Sequence, residues 1–289
     1  MSHRLRVACV QMNTRADVAA NVAAATALVE WAVAAGARLV ALPETWAYKG
    51  PGAGIRAHAE PLDGPSNGAL AALAARHEVF ILAGSHYETP SQGSTAPRGN
   101  TPGVTSEAAA DRVYNTSVLF GPDGAPRAVY RKIHLFDAVS DGRTYRESDD
   151  LLPGDALVTA EVDGFTLGLT ICYDLRFPEL YRALALRGAG VLLVPAAFTA
   201  FTGLAHWEVL LRARAIENGC FVVAPDQVGE HLPGRACFGH SMVVDPWGAK
   251  LAEVESGVGV CMAELDLARL DEVRAQLPSL AGRQPDAYR

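Results

Sequence analysis

The 289-residue sequence predicts an α/β protein organised as one domain with two β-α-rich halves. Three observations carry this. Strand-like apolar runs alternate with helix-length stretches in both halves. A strand-to-helix corner falls near the middle, at Cys172. No linker separates two cores, because strands resume directly after the one stretch of biased composition.

Residues 5–12 read as a strand, followed by an Ala-rich helix over 17–35 that opens on Asp17 as N-cap and ends at Gly36. Residues 38–44 form the next strand, and the β-α-β spacing favours parallel pairing. Glu44 closes the Leu42-Pro43-Glu44 run at that strand's carboxyl end, where open α/β sheets place functional groups. A helix over 66–76 and a strand over 79–84 follow. Residues 88–111 are rich in Ser, Thr, Pro, Gly and Ala, which cannot bury much apolar surface, and they are expected to form a mobile surface excursion. Residues 113–120 and 126–131 flank Gly121-Pro122-Asp123-Gly124, a hairpin signal. Lys132 lies where the second of these strands runs out, in Tyr130-Arg131-Lys132-Ile133-His134-Leu135-Phe136-Asp137. Its aromatic and apolar context suits a lysine held in a pocket. The following stretch, Tyr145-Arg146-Glu147-Ser148-Asp149, is read as a loop.

The central strand spans 165–171 and gives way to a helix over 179–187 just after Pro178. Cys172 therefore sits where unpaired N–H groups of the next residues can receive an anion. The alternation then repeats: strand 190–195, helix 203–218, strand 220–224. Strands over 241–244 and 258–264 flank the Asp245-Pro246-Trp247-Gly248 turn, and 265–277 is helical in pattern.

Composition narrows the partners. A net charge of −7 without a Lys/Arg cluster disfavours nucleic acid. The longest apolar runs are far short of a membrane span, and the N-terminus enters a strand with no signal-peptide h-region, so a cytoplasmic protein is expected. The five cysteines are odd in number and dispersed without a C-x-x-C pair, which suggests neither a disulfide framework nor a thiolate zinc site. No H-E-x-x-H pattern occurs among the eight histidines, so no metal or other cofactor is implied.

Glu44, Lys132 and Cys172 all fall at or near predicted strand ends, so one crevice could hold them. A partly desolvated carboxylate with a raised pKa can take the thiol proton, while the ammonium favours the thiolate. The thiolate then attacks an electrophilic carbon, and the ammonium with a backbone N–H stabilises the oxyanion. Two readings from other classes stand beside this one. A nucleotide or phosphate binder could use the Gly50–Gly54 segment, although that segment completes neither a P-loop nor G-x-G-x-x-G. A non-catalytic binding protein could retain the scaffold.

The three blocks ending in Glu44, around Lys132 and around Cys172-Tyr173-Asp174-Leu175-Arg176-Phe177-Pro178-Glu179 together resemble the signatures of the nitrilase superfamily, the carbon-nitrogen hydrolases. The stretches Ala205-His206-Trp207-Glu208-Val209-Leu210-Leu211-Arg212-Ala213-Arg214-Ala215-Ile216-Glu217 and Gly239-His240-Ser241-Met242-Val243-Val244-Asp245-Pro246-Trp247-Gly248 are similar to its Nit branch. The resemblance covers nearly the whole chain. It implies a four-layer α-β-β-α sandwich whose subunits pair through helical faces, hence a homodimer or higher homo-oligomer. It implies Glu44 as general base, Lys132 as oxyanion stabiliser, Cys172 as nucleophile, and Glu147 as a second glutamate orienting Lys132. It implies hydrolysis of a small carboxylate-bearing primary amide, of the deaminated glutathione or α-keto-ω-amide type, with a nitrile or N-carbamoyl substrate as the alternative within the same chemistry. Tyr173 and Arg176 are expected to offer an N–H and a cation to substrate, with Phe198, Thr199 and His206 as pocket walls. The excursion over 88–111 and the Gly-rich segment Lys49-Gly50-Pro51-Gly52-Ala53-Gly54 depart from the branch pattern and are expected to border the pocket.

Overall fold

The computed structural model describes residues 4–90 and 111–288. Most of the excursion expected over 88–111 therefore lies outside the described residues. Its expected start moves: Glu88 belongs to the strand His86–Glu88, buried, with Arg131 donating to both of its carboxylate oxygens at 2.7 and 2.5 Å. The biased composition begins beyond residue 90, and a buried ion pair claims the glutamate.

Two mixed sheets stack face to face with helices on both outer sides. In spatial order the first sheet contains Gly259–Asp266, Arg4–Gln11, Leu39–Ala41, Phe80–Leu82, Val113–Phe120 and His86–Glu88, with Pro126–Arg131 and Leu151–Leu152 also paired to Val113–Phe120. The second contains Thr159–Val162, Phe165–Leu169, Val191–Leu193, Phe221–Ala224, Ser241–Val244 and Lys250–Val254. Each sheet has a centre of three parallel strands, with Val7 opposite Leu39 and Leu39 opposite Phe80 in one, Leu167 opposite Val191 and Val191 opposite Phe221 in the other. Antiparallel strands complete the edges. This is the predicted four-layer sandwich.

Period-2 alternation assigns the layers. Val7 and Cys9 face Leu167, Leu169, Val191 and Val223 in the core between the sheets. Ala8 and Val10 face outward against α1 (Val18–Ala34) and α2 (Pro65–His77), meeting Ala25, Val29, Leu70 and Leu73. On the other outer side, Leu192, Val194 and Val222 pack under α3 (Pro178–Leu186) and α4 (Ala200–Asn218), meeting Leu180, Leu184, Trp207 and Leu211. A fifth helix, α5 (Leu267–Gln276), follows the last strand.

The helix ends follow local chemistry. Asp17 caps α1 by accepting from the Ala20 N–H at 3.0 Å. Thr199 caps α4, so this helix begins at Ala200 rather than at the predicted 203, and Gly219 ends it with φ of 54°. The turn over 245–248 leads into Lys250–Val254 rather than into the expected strand over 258–264, which pairs with Arg4–Gln11 in the other sheet. The strand Thr159–Val162 and two whole hairpins were not predicted either, Asp137–Ser140 with Arg143–Arg146, and Val228–Leu232 with Arg235–Phe238. The Arg143 guanidinium donates to the Gly234 carbonyl and ties the two turns together.

Candidate active site

Each expected member of the chemical constellation reaches the site from a different strand end. Glu44 follows Leu39–Ala41 of the first sheet, and its corner is anchored to strand ends of the second: its own N–H donates to the Ala196 carbonyl at 3.3 Å, and the Gln227 amide donates to its carbonyl at 2.9 Å. Lys132 follows Pro126–Arg131. Alternation along that strand turns Tyr130 and Lys132 to one face, leaving Arg131 to Glu88 on the other. Cys172 follows Phe165–Leu169 in a tight 3-10 turn before α3, with φ of 47°. A non-glycine residue in the left-handed region costs about 1–3 kcal/mol and persists only where its surroundings fix it. The fixing groups are present: the Cys172 N–H donates to the Pro195 carbonyl at 2.9 Å, and the buried Asp174 carboxylate accepts from the Ile171 N–H at 2.9 Å.

Asp174 also accepts from the Tyr130 hydroxyl at 2.6 Å and the His134 N–H at 3.1 Å, and its oxygen lies 2.7 Å from His134 Nδ1. One carboxylate therefore couples the lysine strand to the cysteine corner. It was not among the expected site residues, although it stands two positions after Cys172 in a quoted motif.

Glu44, Lys132 and Glu147 form one charge cluster. Lys132 is fully buried and donates to Glu44 Oε1 at 2.9 Å and to both Glu147 oxygens at 3.1 and 2.9 Å. Glu44 also accepts from Asn115 at 2.8 Å and from the Ala197 N–H at 2.9 Å, while Glu147 accepts from the Phe136 N–H at 2.8 Å. Burial would lift the Glu44 carboxyl, but the charges of Lys132 and Lys49 and hydrogen bonds from Lys132 and the Cys172 thiol hold it below the usual carboxylate range. Burial would also favour loss of the Lys132 proton, yet Glu147 and Glu44 keep that ammonium well above its ordinary range. The Cys172 thiol is pushed well up, by burial first and then by Glu44, against the pull of Lys132.

Two expectations are corrected here. Glu44 is not a carboxyl with a raised pKa, because the paired lysine outweighs its burial. The expected pull of Lys132 toward a Cys172 thiolate is outweighed by burial beside an anion, so the group stands as a thiol. The arrangement holds a thiol next to an ionised base, so the proton moves during attack rather than before it.

A cavity of about 240 Å³ opens over Cys172 and Glu44. Tyr173, Arg176, Phe198 and Thr199 line it as expected, and so does Glu147. Phe198 is fixed by the buried Asp226 carboxylate, which accepts its N–H at 2.9 Å. His206 does not line the cavity. It lies exposed on α4, about two turns past the cap, and its Nδ1 sits 3.2 Å from the Arg176 guanidinium. Arg176 in turn lies over the Phe198 ring at 5.0 Å and the Tyr173 ring at 5.9 Å.

The unpredicted hairpins supply a further part of the wall, with Tyr145 and Arg146 from one and His231, Arg235 and Cys237 from the other. Their turn signals were available: Asp141-Gly142 adopts φ of 52° and 67°, as a type I′ turn requires, and Gly234 sits at 67°. Lys49, from the Gly-rich segment, also lines the cavity. Burial drives His231 down to about 3, so it stands neutral. Among the described residues, none of Lys49, Arg146, Arg176 and Arg235 is ion-paired with a carboxylate, and the nearby Asp150 pairs instead with Arg56 at 3.8 Å.

The carbon-nitrogen hydrolase family model matches residues 6–275 of the chain. A deaminated glutathione amidase from Synechocystis is 43% identical over 96% of this chain and 97% of its own length. Human omega-amidase NIT2 is 34% identical over 98% of this chain and 96% of its own. Among solved structures, the NitFhit protein of Caenorhabditis elegans superposes with a TM-score of 0.87 at 36% identity, covering all of this chain and 67% of that one.

Proposed function

The chain belongs to the carbon-nitrogen hydrolase family and is an amidase of its Nit branch, and from that premise we propose that it hydrolyses a small primary amide bearing a carboxylate, of the deaminated glutathione or α-keto-ω-amide type. The observation that carries the substrate class is the set of cavity cations without counter-ions beside a nucleophile whose charged neighbours are already engaged with one another. Unpaired charge at a cavity wall is costly unless a ligand of opposite sign completes it. The 43% and 34% identical relatives, an amidase for deaminated glutathione and an omega-amidase, support the same class.

In this reading Glu44 takes the Cys172 proton as the sulfur attacks the amide carbonyl carbon. The oxyanion that forms is met by Lys132 and by the Tyr173 N–H at the open end of the 3-10 turn. Collapse breaks the C–N bond, and the proton held by Glu44 passes to the leaving nitrogen, releasing ammonia. Water then attacks the thioester, giving up a proton to Glu44, which returns it to the sulfur as the acid product departs. Glu147 holds Lys132 by two hydrogen bonds and keeps the ammonium aimed and protonated throughout.

We also propose that the whole chain acts as one domain, that it works in the cytoplasm, and that it pairs with a second copy. Five free cysteines suit a reducing compartment. Phe201, Leu204, Val209 and Ile216 leave an apolar strip of α4 exposed, which a partner's helix would cover. No helix among the described residues is long and apolar enough to cross a membrane.

Ammonia release from deaminated glutathione, α-ketoglutaramate, succinamate, butyramide, a simple nitrile and an N-carbamoyl amino acid tests the substrate reading. Turnover of the acid amides above butyramide, abolished by Cys172→Ala, is expected. Preference for the nitrile or the carbamoyl compound would overturn it.

A further inference from the structure

Lys49 begins the Gly-rich segment that has no part in the chemistry above. Its loop is built around one ring. Tyr48 is buried, stacks on His58 with ring centroids 4.0 Å apart, and donates its hydroxyl to the Pro51 carbonyl at 3.2 Å. A Cβ at Gly50 would fall 2.5 Å from the Tyr48 oxygen and one at Gly54 1.9 Å from it, so both positions need glycine for this close wrap. The Gly54 and Ile55 N–H groups are spent on the Pro51 and Gly52 carbonyls at 2.9 Å each. The loop is therefore not a phosphate cradle, and it holds Lys49 in the cavity wall next to Gly50, Gly52 and Ile55.

The ammonium it delivers is half-buried, and no hydrogen-bond or ion-pair partner is present among the described residues. Arg176 differs, being engaged with His206, and Arg146 and Arg235 are exposed at the rim. Near the nucleophile, Glu44 and Glu147 set two negative charges against the single positive charge of Lys132. An incoming carboxylate meets net negative charge there unless another cation offsets it, and Lys49 is within electrostatic reach of Glu44, Cys172 and Glu147. Burial would weaken its hold on the proton, but the carboxylates of Glu44 and Glu147 keep it charged.

We propose that Lys49 binds the remote carboxylate of the substrate and is the residue by which this cavity selects amide acids over neutral amides. The proposal rests on the substrate class argued above and names the group that reads it.

Binding of succinate to the Cys172→Ala protein, followed by calorimetry, measures this site without turnover. Lys49→Met in that background is expected to weaken Kd about tenfold or more, and Lys49→Arg to recover most of the loss. With Cys172 intact, Lys49→Met should lower the ratio of kcat/KM for succinamate over butyramide by a similar factor, through KM for succinamate. Lys49→Gln makes the same comparison should Lys49→Met fail to fold. Succinate binding indifferent to these substitutions, or absent altogether, overturns the proposal. Failure of the substrate reading has a different signature: Lys49-dependent succinate binding with no ammonia released from any acid amide.

Discussion

The inner and outer walls of one cavity are finished to different degrees. At the inner wall Lys132, Glu44 and Glu147 satisfy one another at 2.9–3.1 Å, with backbone N–H groups of Ala197 and Phe136 taking the remaining oxygens. At the outer wall Lys49, Arg146, Arg176 and Arg235 have no carboxylate partners among the described residues. Preorganised dipoles and charges lower a barrier because they need not reorganise during reaction. Unmatched charges have the opposite virtue, since only a ligand completes them. The difference teaches that the inner wall carries the type of bond broken and the outer wall the choice of molecule, so substitutions should separate into kcat effects and KM effects.

The sharpest break comes from the inner wall. Cys172→Ala should cost at least about ten-thousandfold in kcat with the fold intact. Lys132→Met should be as damaging to rate and should also destabilise the protein by about 3–5 kcal/mol, because two carboxylates are left close together and uncompensated. Thermal unfolding distinguishes the two variants: Tm should stay near wild type in the first and fall in the second. Equal Tm values would mean that the buried cluster contributes nothing to stability.

Asp174→Asn tests how far that preorganisation extends from the reacting atoms. The carboxylate accepts from Tyr130, Ile171 and the His134 N–H, and an amide cannot serve all of them. A loss of about 2 kcal/mol in stability and about a hundredfold in kcat is expected, with KM little moved. A purely structural role would lower Tm and leave kcat unchanged.

The pH profile sharpens the comparison. Glu44 must be ionised to act as base and is held below its usual 4.5, so kcat/KM should hold as pH falls toward that value and drop only beneath it. Cys172, raised above 9.0, stays a thiol at neutral pH, so its alkylation by iodoacetamide should keep accelerating as pH rises past that value. An alkylation rate already flat at pH 7 would show a resting thiolate, and proton transfer to Glu44 would then precede attack instead of accompanying it.

The two walls were unequally legible in the sequence for a physical reason. Glu44, Lys132 and Cys172 each end an apolar run, and a run's end marks the rim of a sheet, where side chains can converge. Arg146 and Arg235 sit on four-residue hairpin strands and Lys49 on a loop, segments too short to show a periodicity, so only Asp141-Gly142 and Pro233-Gly234 hint at hairpins. His206 was misplaced because its nearness in sequence to the Phe198 strand end ignored the cap at Thr199. About two turns of α4 carry it past the cavity, where it meets Arg176. The thiol's raised pKa was out of reach for another reason: residue types show that acids and a base meet, not which charge prevails after burial.

At the outer wall the effects should be smaller and confined to KM. Arg176→Met should raise KM for an amide acid about tenfold, and His206→Ala, acting through Arg176, about two- to threefold. Kinetics on succinamate and butyramide side by side would show whether the change follows the carboxylate.

The smallest effect should come from Tyr48→Phe, which touches no charge at either wall. The hydroxyl donates to the Pro51 carbonyl at 3.2 Å, and its loss should cost about 1 kcal/mol of stability, since the ring remains stacked on His58. What it loosens is the loop that carries Lys49. If the outer wall works by placing cations, KM for succinamate should rise about twofold while KM for butyramide stays put, because only the acid depends on where the ammonium sits. A parallel rise for both amides would instead mean that the loop shapes the cavity as a whole, and the division between the two walls would then be one of charge but not of position.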